Sequence, residues 1–391
     1  MPLTYEFAAP RRIVFGSGKR RELGKLVADL GDRAFVIVGS RTLMASGEIG
    51  ELLTLLQTAR VDAILLDTIS REPLVTDVNR VAGLLKQQGP RAGDVVIAIG
   101  GGSAIDLAKA VVAVAAHPES EGIVDFLEGV GRGVAVTRET LPVVAVPTTA
   151  GTGSEATRNA VISSYEPTFK KSIRSERLLP KLVVVDPELA LSLPPAVTAA
   201  TGMDAITQLI ESAVSRRRAP IPMALALSGL SGAVAALRVA FLDGSNLAAR
   251  ETMAHAALLS GMALANSGLG LAHGVAAALG VHAQVSHGLA CAVMLPVAMR
   301  FNLTTCETEF AQIGEALSGR EWPTRRAAAE AGLSTIEGLL FDLRISRRLR
   351  DLGVTEEQIP QLARDSKGNS LSGNPRDVSE GELCELLAAM W

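Results

Sequence analysis

The run Val95-Val96-Ile97-Ala98-Ile99 stops at Gly100-Gly101-Gly102-Ser103, and Ala104, Ile105, Ala108, Val111, Val112 and Ala115 then recur at helical spacing. A continuous apolar run of this length suits a strand covered on both faces, and a glycine turn leading straight into a helix is the corner of a parallel α/β sheet. Further strand-like runs at residues 35–38, 64–66, 143–146 and 183–185 alternate with longer amphipathic stretches, as parallel strands joined by crossover helices do. After Asp186-Pro187 the texture changes to Ala- and Leu-rich segments with almost no Val/Ile run of strand length. Pro187, Pro194 and Pro195 interrupt helix continuation at the change. The expected fold class is therefore α/β plus all-α, with a Rossmann-like parallel domain over residues 1–188 and a helical domain over 189–391.

The glycine turn has a chemical use. Backbone N–H groups and the positive end of a helix can hold a pyrophosphate, and a turn without Cβ atoms lets the phosphates approach. Gly101, Gly102 and Ser103 are the candidates, although a strand-to-helix corner without a ligand reads the same way. A second loop, Pro147-Thr148-Thr149-Ala150-Gly151-Thr152-Gly153-Ser154-Glu155, follows another strand and combines hydroxyls with bare backbone, which suits phosphate and ribose oxygens. Two such loops at strand ends of one expected sheet mark the edge where open α/β sheets bind ligands.

The second half offers a metal-type set. Asp204 and Gln208 stand four apart and share one face if that segment is helical, while His273 and His287 lie fourteen residues apart in a charge-free stretch. A single apolar-face histidine is ordinarily a packing residue. Two of them near a carboxylate that needs neutralising when buried point to an ion.

Composition removes other classes. With 38 basic and 41 acidic residues, a net charge of −3 and 3% aromatics, the chain has neither the field nor the stacking surface for nucleic acid. Cys291, Cys306 and Cys384 are odd in number, far apart and without CxxC spacing, which suits a reducing compartment. The first twelve residues contain Glu6 and no long apolar run, so a cytoplasmic location is expected. Residues 252–299 carry no Asp, Glu, Lys or Arg, enough at about 20 residues per span to cross a bilayer twice. The glycines, Asn266, Gln284 and histidines within it favour a packed core around a polar site, and no membrane span is expected.

The segments GGGSAIDLAK, PTTAGTGSEAT, VVVDPELALSLPP, GMDAIT, GLGLAHG and SHGLACAVMLP, with FGSG at 15–18 and Asn374-Pro375-Arg376, together resemble the iron-containing, group III alcohol dehydrogenases in order and over nearly the whole chain. The resemblance implies a dehydroquinate synthase-like fold and a cleft between two domains where NAD or NADP meets an alcohol or carbonyl substrate. It also implies a homodimer or larger homo-oligomer. By the same resemblance Gly101, Gly102 and Ser103 hold the pyrophosphate, Thr148, Thr149 and Thr152 line the cofactor site, and Lys170 contacts the ribose. Family members that carry Fe²⁺ or Zn²⁺ bind it through Asp, His, His and His; Asp204, His273 and His287 match three of these and Gln208 stands at the fourth.

An amide oxygen is a weaker ligand than imidazole, so the substitution at Gln208 lowers the expected metal affinity. Four residues after His273 the family usually has a proton-relaying histidine, where this chain has Ala277, leaving water or His282 to serve. A metal-independent reductase of the maleylacetate reductase type and a non-catalytic nucleotide-binding relative are the alternatives, with a lyase of the same fold more distant. Ser40 stands where NAD-preferring relatives often carry an Asp, and Arg41 follows it, which makes NADP acceptable.

Overall fold

The computed structural model describes residues 4–39 and 41–391, with the side chains of residues 41 and 42 also outside the description. Ser40, the candidate for adenosine-ribose contact, therefore lies outside the described residues, as does the side chain of Arg41.

By packing, the chain divides into two compact units: an α/β unit of Ala9–Thr149 and Ser154–Ala190, and a helical unit of Leu191–Trp391 with Ala150–Gly153 and the described residues up to Ala8. The short segment Ala150–Gly153 joins the helical unit, where the Thr152 carbonyl accepts a hydrogen bond from Gln208 Nε2 at 3.3 Å.

In the α/β unit, strands β1 (Ile13–Phe15), β2 (Arg33–Val38), β3 (Asp62–Thr68), β4 (Asp94–Gly100), β5 (Val143–Pro147) and β8 (Leu182–Val185) form one sheet, ordered β1-β8-β5-β4-β2-β3. Every pairing in it is parallel. Alternate residues feed two cores: Phe35, Ile37, Val96, Ala98, Val143 and Ala145 pack on one face, and Val36, Val38, Ile97, Ile99, Val144 and Val146 on the other. That double burial explains the unbroken apolar runs, since no position in such a strand faces water. Strands β6 (Asn159–Tyr165) and β7 (Thr168–Arg174) form a separate antiparallel hairpin.

The strand order places a switch point between β2 and β4. From β2 the chain crosses to β3 on one side, and from β4 it crosses to β5 on the other. Ligands of open parallel sheets bind at such a crevice, outside the carboxyl ends of the strands. Here those ends are Gly39 and Gly100, packed so closely that a Cβ on Gly100 would stand 2.5 Å from the Gly39 Cα.

The helical unit is built around the helix Pro195–Val214, which starts with Pro195 in the first helical position and is buried on all sides from Gly202 onward. Pro220–Leu230, Ala233–Leu242, Leu247–Ser267 and His287–Asn302 pack in one core with it, and Leu271–His282 joins a second core with residues of the carboxyl-terminal helices. The charge-free stretch is not one straight segment. The helices Leu247–Ser267 and Leu271–His282 meet at a bend of 102°, and among the described residues no single helix is long and apolar enough to cross a membrane.

Candidate functional site

On the buried helix Pro195–Val214, Asp204, Gln208 and Glu211 stand at spacings of four and seven, which puts all three on one face. Opposite them, His273 lies in the first turn of Leu271–His282, and His287 opens His287–Asn302 with Cys291 one turn further on. Gly288 makes this meeting possible. A Cβ there would lie 2.2 Å from the Ala200 carbonyl oxygen, so only glycine lets the His287 helix approach the Asp204 helix this closely.

One donor atom each from Asp204, His273, His287 and Cys291 lies within 4.8 Å of the others. His273 Nε2 is 3.3 Å from Asp204 Oδ1, His287 Nε2 is 3.8 Å from the same oxygen, and Cys291 Sγ is 3.8 Å from His287 Nε2. Neighbouring donors of a tetrahedral ion with bonds of about 2.0–2.3 Å stand roughly 3.3–3.8 Å apart, so the residues fit a small divalent cation. Behind His273, Glu211 Oε2 accepts from Nδ1 at 2.7 Å, which orients the ring and leaves Nε2 as the atom facing Asp204. The same carboxylate accepts from the backbone N–H groups of Gly270 at 3.0 Å and Ala272 at 2.6 Å, the orphan donors at the start of the His273 helix.

The charges of this cluster are strongly coupled. Burial works to raise the Asp204 carboxyl, but His287 and His273 beside it hold it below the usual carboxylate range. Burial opposes protonation of His273, yet Cys291, Asp204 and Glu211 raise its imidazole well above the ordinary value. Burial pushes the Cys291 thiol up to about 11. A bound dication would replace the proton on His273 as the partner of these carboxylates.

Gln208 has other commitments. Its Oε1 accepts from the Ser260 hydroxyl at 2.6 Å and its Nε2 donates to Thr152. His282 pairs with Asp365 at 2.6 Å and takes no part in the cluster, while Ala277 sits half-buried one turn after His273. Asn374 of the Asn-Pro-Arg segment exchanges hydrogen bonds with Asn302 and accepts from the Leu271 N–H at 3.2 Å, bracing the start of the His273 helix. Composition and spacing did not single out Glu211 or Cys291 as site residues. Both carry a signal, at i+7 from Asp204 and i+4 from His287.

In the α/β unit, Gly101 and Gly102 lead from the end of β4 into the helix Gly102–Ala116, whose second residue is Ser103. Gly100 is in register with Pro147 of β5, so the second loop leaves the sheet alongside the first. Thr148 N–H donates to the Gly100 carbonyl at 3.0 Å, and the Thr149 Oγ1 would stand 3.1 Å from a Cβ on Gly101. Fifteen helical residues behind the turn supply a positive N-terminal end at the switch point, the arrangement that holds a dinucleotide's pyrophosphate.

The loop beyond is anchored to the same helix. The fully buried Lys109 donates to the carbonyls of Ser154 at 2.5 Å, Thr157 at 2.8 Å and Asn159 at 2.9 Å, and Asp106 accepts from the Ser154 hydroxyl and from Val161 N–H. Burial lowers Lys109 to about 8 and raises Glu155 to about 7. Lys170 lies on β7 with Nζ 2.6 Å from Glu72 Oε1, and Arg158 pairs with Glu176 rather than with Glu155.

Comparisons with known proteins agree with this construction. The family description "Iron-containing alcohol dehydrogenase" matches residues 10–187, and "Fe-containing alcohol dehydrogenase family, C-terminal" matches residues 198–391. The chain is 35% identical to 1,3-propanediol dehydrogenase of Citrobacter freundii over 387 residues, covering 98% of this chain and 97% of that protein. It is 32% identical to the NAD-dependent methanol dehydrogenase of Bacillus methanolicus, covering 97% and 98%. A crystal structure of 1,3-propanediol oxidoreductase superposes with a TM-score of 0.91 at 33% identity, covering 99% of this chain and all of that one. The chain belongs to the iron-containing alcohol dehydrogenase family.

Proposed function

We propose that this protein interconverts an alcohol and an aldehyde or ketone by hydride exchange with NAD or NADP, using a divalent ion held by the helical unit. The observation that carries the reading is the set of buried Asp204 and His273 and half-buried His287, with Glu211 behind it, in a chain whose relatives include an NAD-dependent methanol dehydrogenase. When bound, the nicotinamide cofactor would supply hydride chemistry and the metal would supply Lewis acidity toward the substrate oxygen.

The residues themselves do the positioning. Gly101, Gly102 and Ser103 receive the pyrophosphate at the helix end, with Thr148, Thr149 and Thr152 as further cofactor contacts. Lys170, oriented by Glu72, is assigned to the ribose. Glu211 keeps the Nδ1 proton of His273 in place so that Nε2 is available as a ligand. Ala277 has no proton to move, so the alcohol proton must pass to water; the partly exposed edge of His287, 29% accessible, is where solvent reaches the cluster.

In this reading residues 1–188 serve as the cofactor domain and 189–391 as the metal and substrate domain. Assembly into a homodimer or larger homo-oligomer belongs to the same proposal. Val239, Leu242 and Phe341 are exposed, and the salt bridge between Arg238 and Asp342 brings the helices that carry them together. A cytoplasmic location is supported by three cysteines that remain thiols.

The test is metal analysis of purified protein, then NAD⁺ and NADP⁺ reduction with a panel of small alcohols before and after chelation. Metal-dependent turnover with at least one alcohol or carbonyl compound is expected. Tight NADH binding without turnover on any of them, with or without added metal, would overturn the proposal.

A further inference from the structure

We propose that Cys291 is the fourth metal ligand of this chain, and that the Asp204–His273–His287–Cys291 set makes the centre a zinc site rather than an iron site. The inference rests on the metal-dependent reading above and specifies which atoms hold the ion. Gln208, which occupies the fourth ligand position by alignment of motifs, is already bonded at both ends of its amide, to Ser260 and to Thr152. Turning it toward an ion would break both of these hydrogen bonds, although the Ser260 hydroxyl also reaches the Ala257 carbonyl at 2.8 Å. Cys291 needs no such rearrangement. It is fully buried, one helical turn from His287, with Sγ 3.8 Å from His287 Nε2 and within 4.8 Å of all the other donors.

The chemistry of the donor set then selects the metal. A thiolate is a softer ligand than imidazole or an amide oxygen, and a mixed carboxylate, imidazole and thiolate set at tetrahedral spacing suits Zn²⁺, which the general affinity order already favours over Fe²⁺ and which can expand to a fifth ligand when a substrate oxygen arrives. Coordination replaces the S–H bond by a metal–sulfur bond and releases the thiol proton to solvent, together with the proton the ion displaces from His273, with no change in oxidation state.

Metal-free full-length protein is titrated with Co²⁺ and followed by absorption, and the Zn²⁺ form is examined by X-ray absorption at the zinc edge. The wild type is expected to show the near-ultraviolet thiolate-to-cobalt charge-transfer band and one sulfur neighbour of zinc at about 2.3 Å. Cys291→Ala should lose the band and bind Zn²⁺ at least about tenfold more weakly in chelator competition, with a reduced preference for Zn²⁺ over Fe²⁺. Gln208→Ala should keep the band. The wild-type spectra need no variant to fold, so a zinc shell of nitrogen and oxygen alone overturns the inference. A charge-transfer band that survives in Cys291→Ala does the same. Metal-dependent alcohol oxidation alongside either result would leave the proposed function standing, whereas wild type that binds none of Co²⁺, Zn²⁺ and Fe²⁺ removes both.

Discussion

Glu211 accepts the Nδ1 proton of His273 at 2.7 Å, and the same carboxylate closes the first turn of the His273 helix through Gly270 and Ala272. One side chain thus sets the orientation of a candidate ligand and the direction of the helix that carries it. Glu211→Gln keeps the shape and removes the charge. Outer partners of metal-bound histidines are worth about 10–100-fold in metal affinity, and a loss in that range is expected in competition with a chromophoric chelator. Far-ultraviolet circular dichroism should be unchanged, and an unaltered zinc affinity would show that the pair only caps the helix.

Gly288 offers a test of the framework rather than of a ligand. A Cβ at this position would be forced to within 2.2 Å of the Ala200 carbonyl oxygen on the Asp204 helix, a backbone contact that no side-chain rotation relieves. Gly288→Val should push the two helices apart, costing about 1–3 kcal/mol in stability and separating His287 from Asp204. The expected outcome is a lower thermal midpoint together with a metal content well below one ion per chain. Full occupancy in the purified variant would mean that the helices are not held in register at this contact.

The glycine turn after β4 can be tested without disturbing the helical unit. Gly101 has φ −74°, a value open to any residue, so a side chain there brings no backbone strain. Its Cβ would sit 3.1 Å from Thr149 Oγ1, in the space between the two loops. Gly101→Val should raise the dissociation constant for NADH by at least about tenfold, about 1.4 kcal/mol or more, measured by nicotinamide fluorescence. Metal content should stay at the wild-type level, and NADH binding at wild-type strength would move the pyrophosphate elsewhere.

The sheet was readable because its strands are buried on both faces. The runs at 35–38, 64–66, 95–99, 143–146 and 183–185 all lie within sheet strands, each extended by one to four residues in the structure. The three-residue β1 is too short for a pattern to register, and the hairpin of β6 and β7 mixes Ser, Tyr, Lys and Arg with its apolar residues because one face meets solvent. In the helical unit, Asp204, His273 and His287 stood out as polar groups in an apolar stretch. Cys291 did not, since a cysteine inside Ala-Cys-Ala-Val-Met reads as a small packing residue. Only the approach of two helices, permitted at Gly288, shows what the thiol faces.

The buried Glu155 predicts a pH dependence that belongs to the α/β unit alone. Burial raises its carboxyl from 4.5 to about 7. Between those values the folded chain keeps a proton that the unfolded chain has released, so the unfolded state binds fewer protons and stability falls as pH rises through the window. Above about pH 7 both states are ionised and the loss is complete. Lys109 works in the opposite sense at higher pH: burial lowers it from 10.5 to about 8, so its contribution recovers only as pH rises from about 8 toward 10.5. Glu155→Gln removes the first effect and leaves Lys109 in place. In metal-free protein, the stability of Glu155→Gln relative to wild type should therefore rise by about 2–3 kcal/mol between pH 5 and pH 7.5, read from urea unfolding midpoints of the two proteins side by side. Parallel curves across that range would mean that Glu155 ionises in the folded chain as readily as in the unfolded one, with Lys109 close enough to offset its burial.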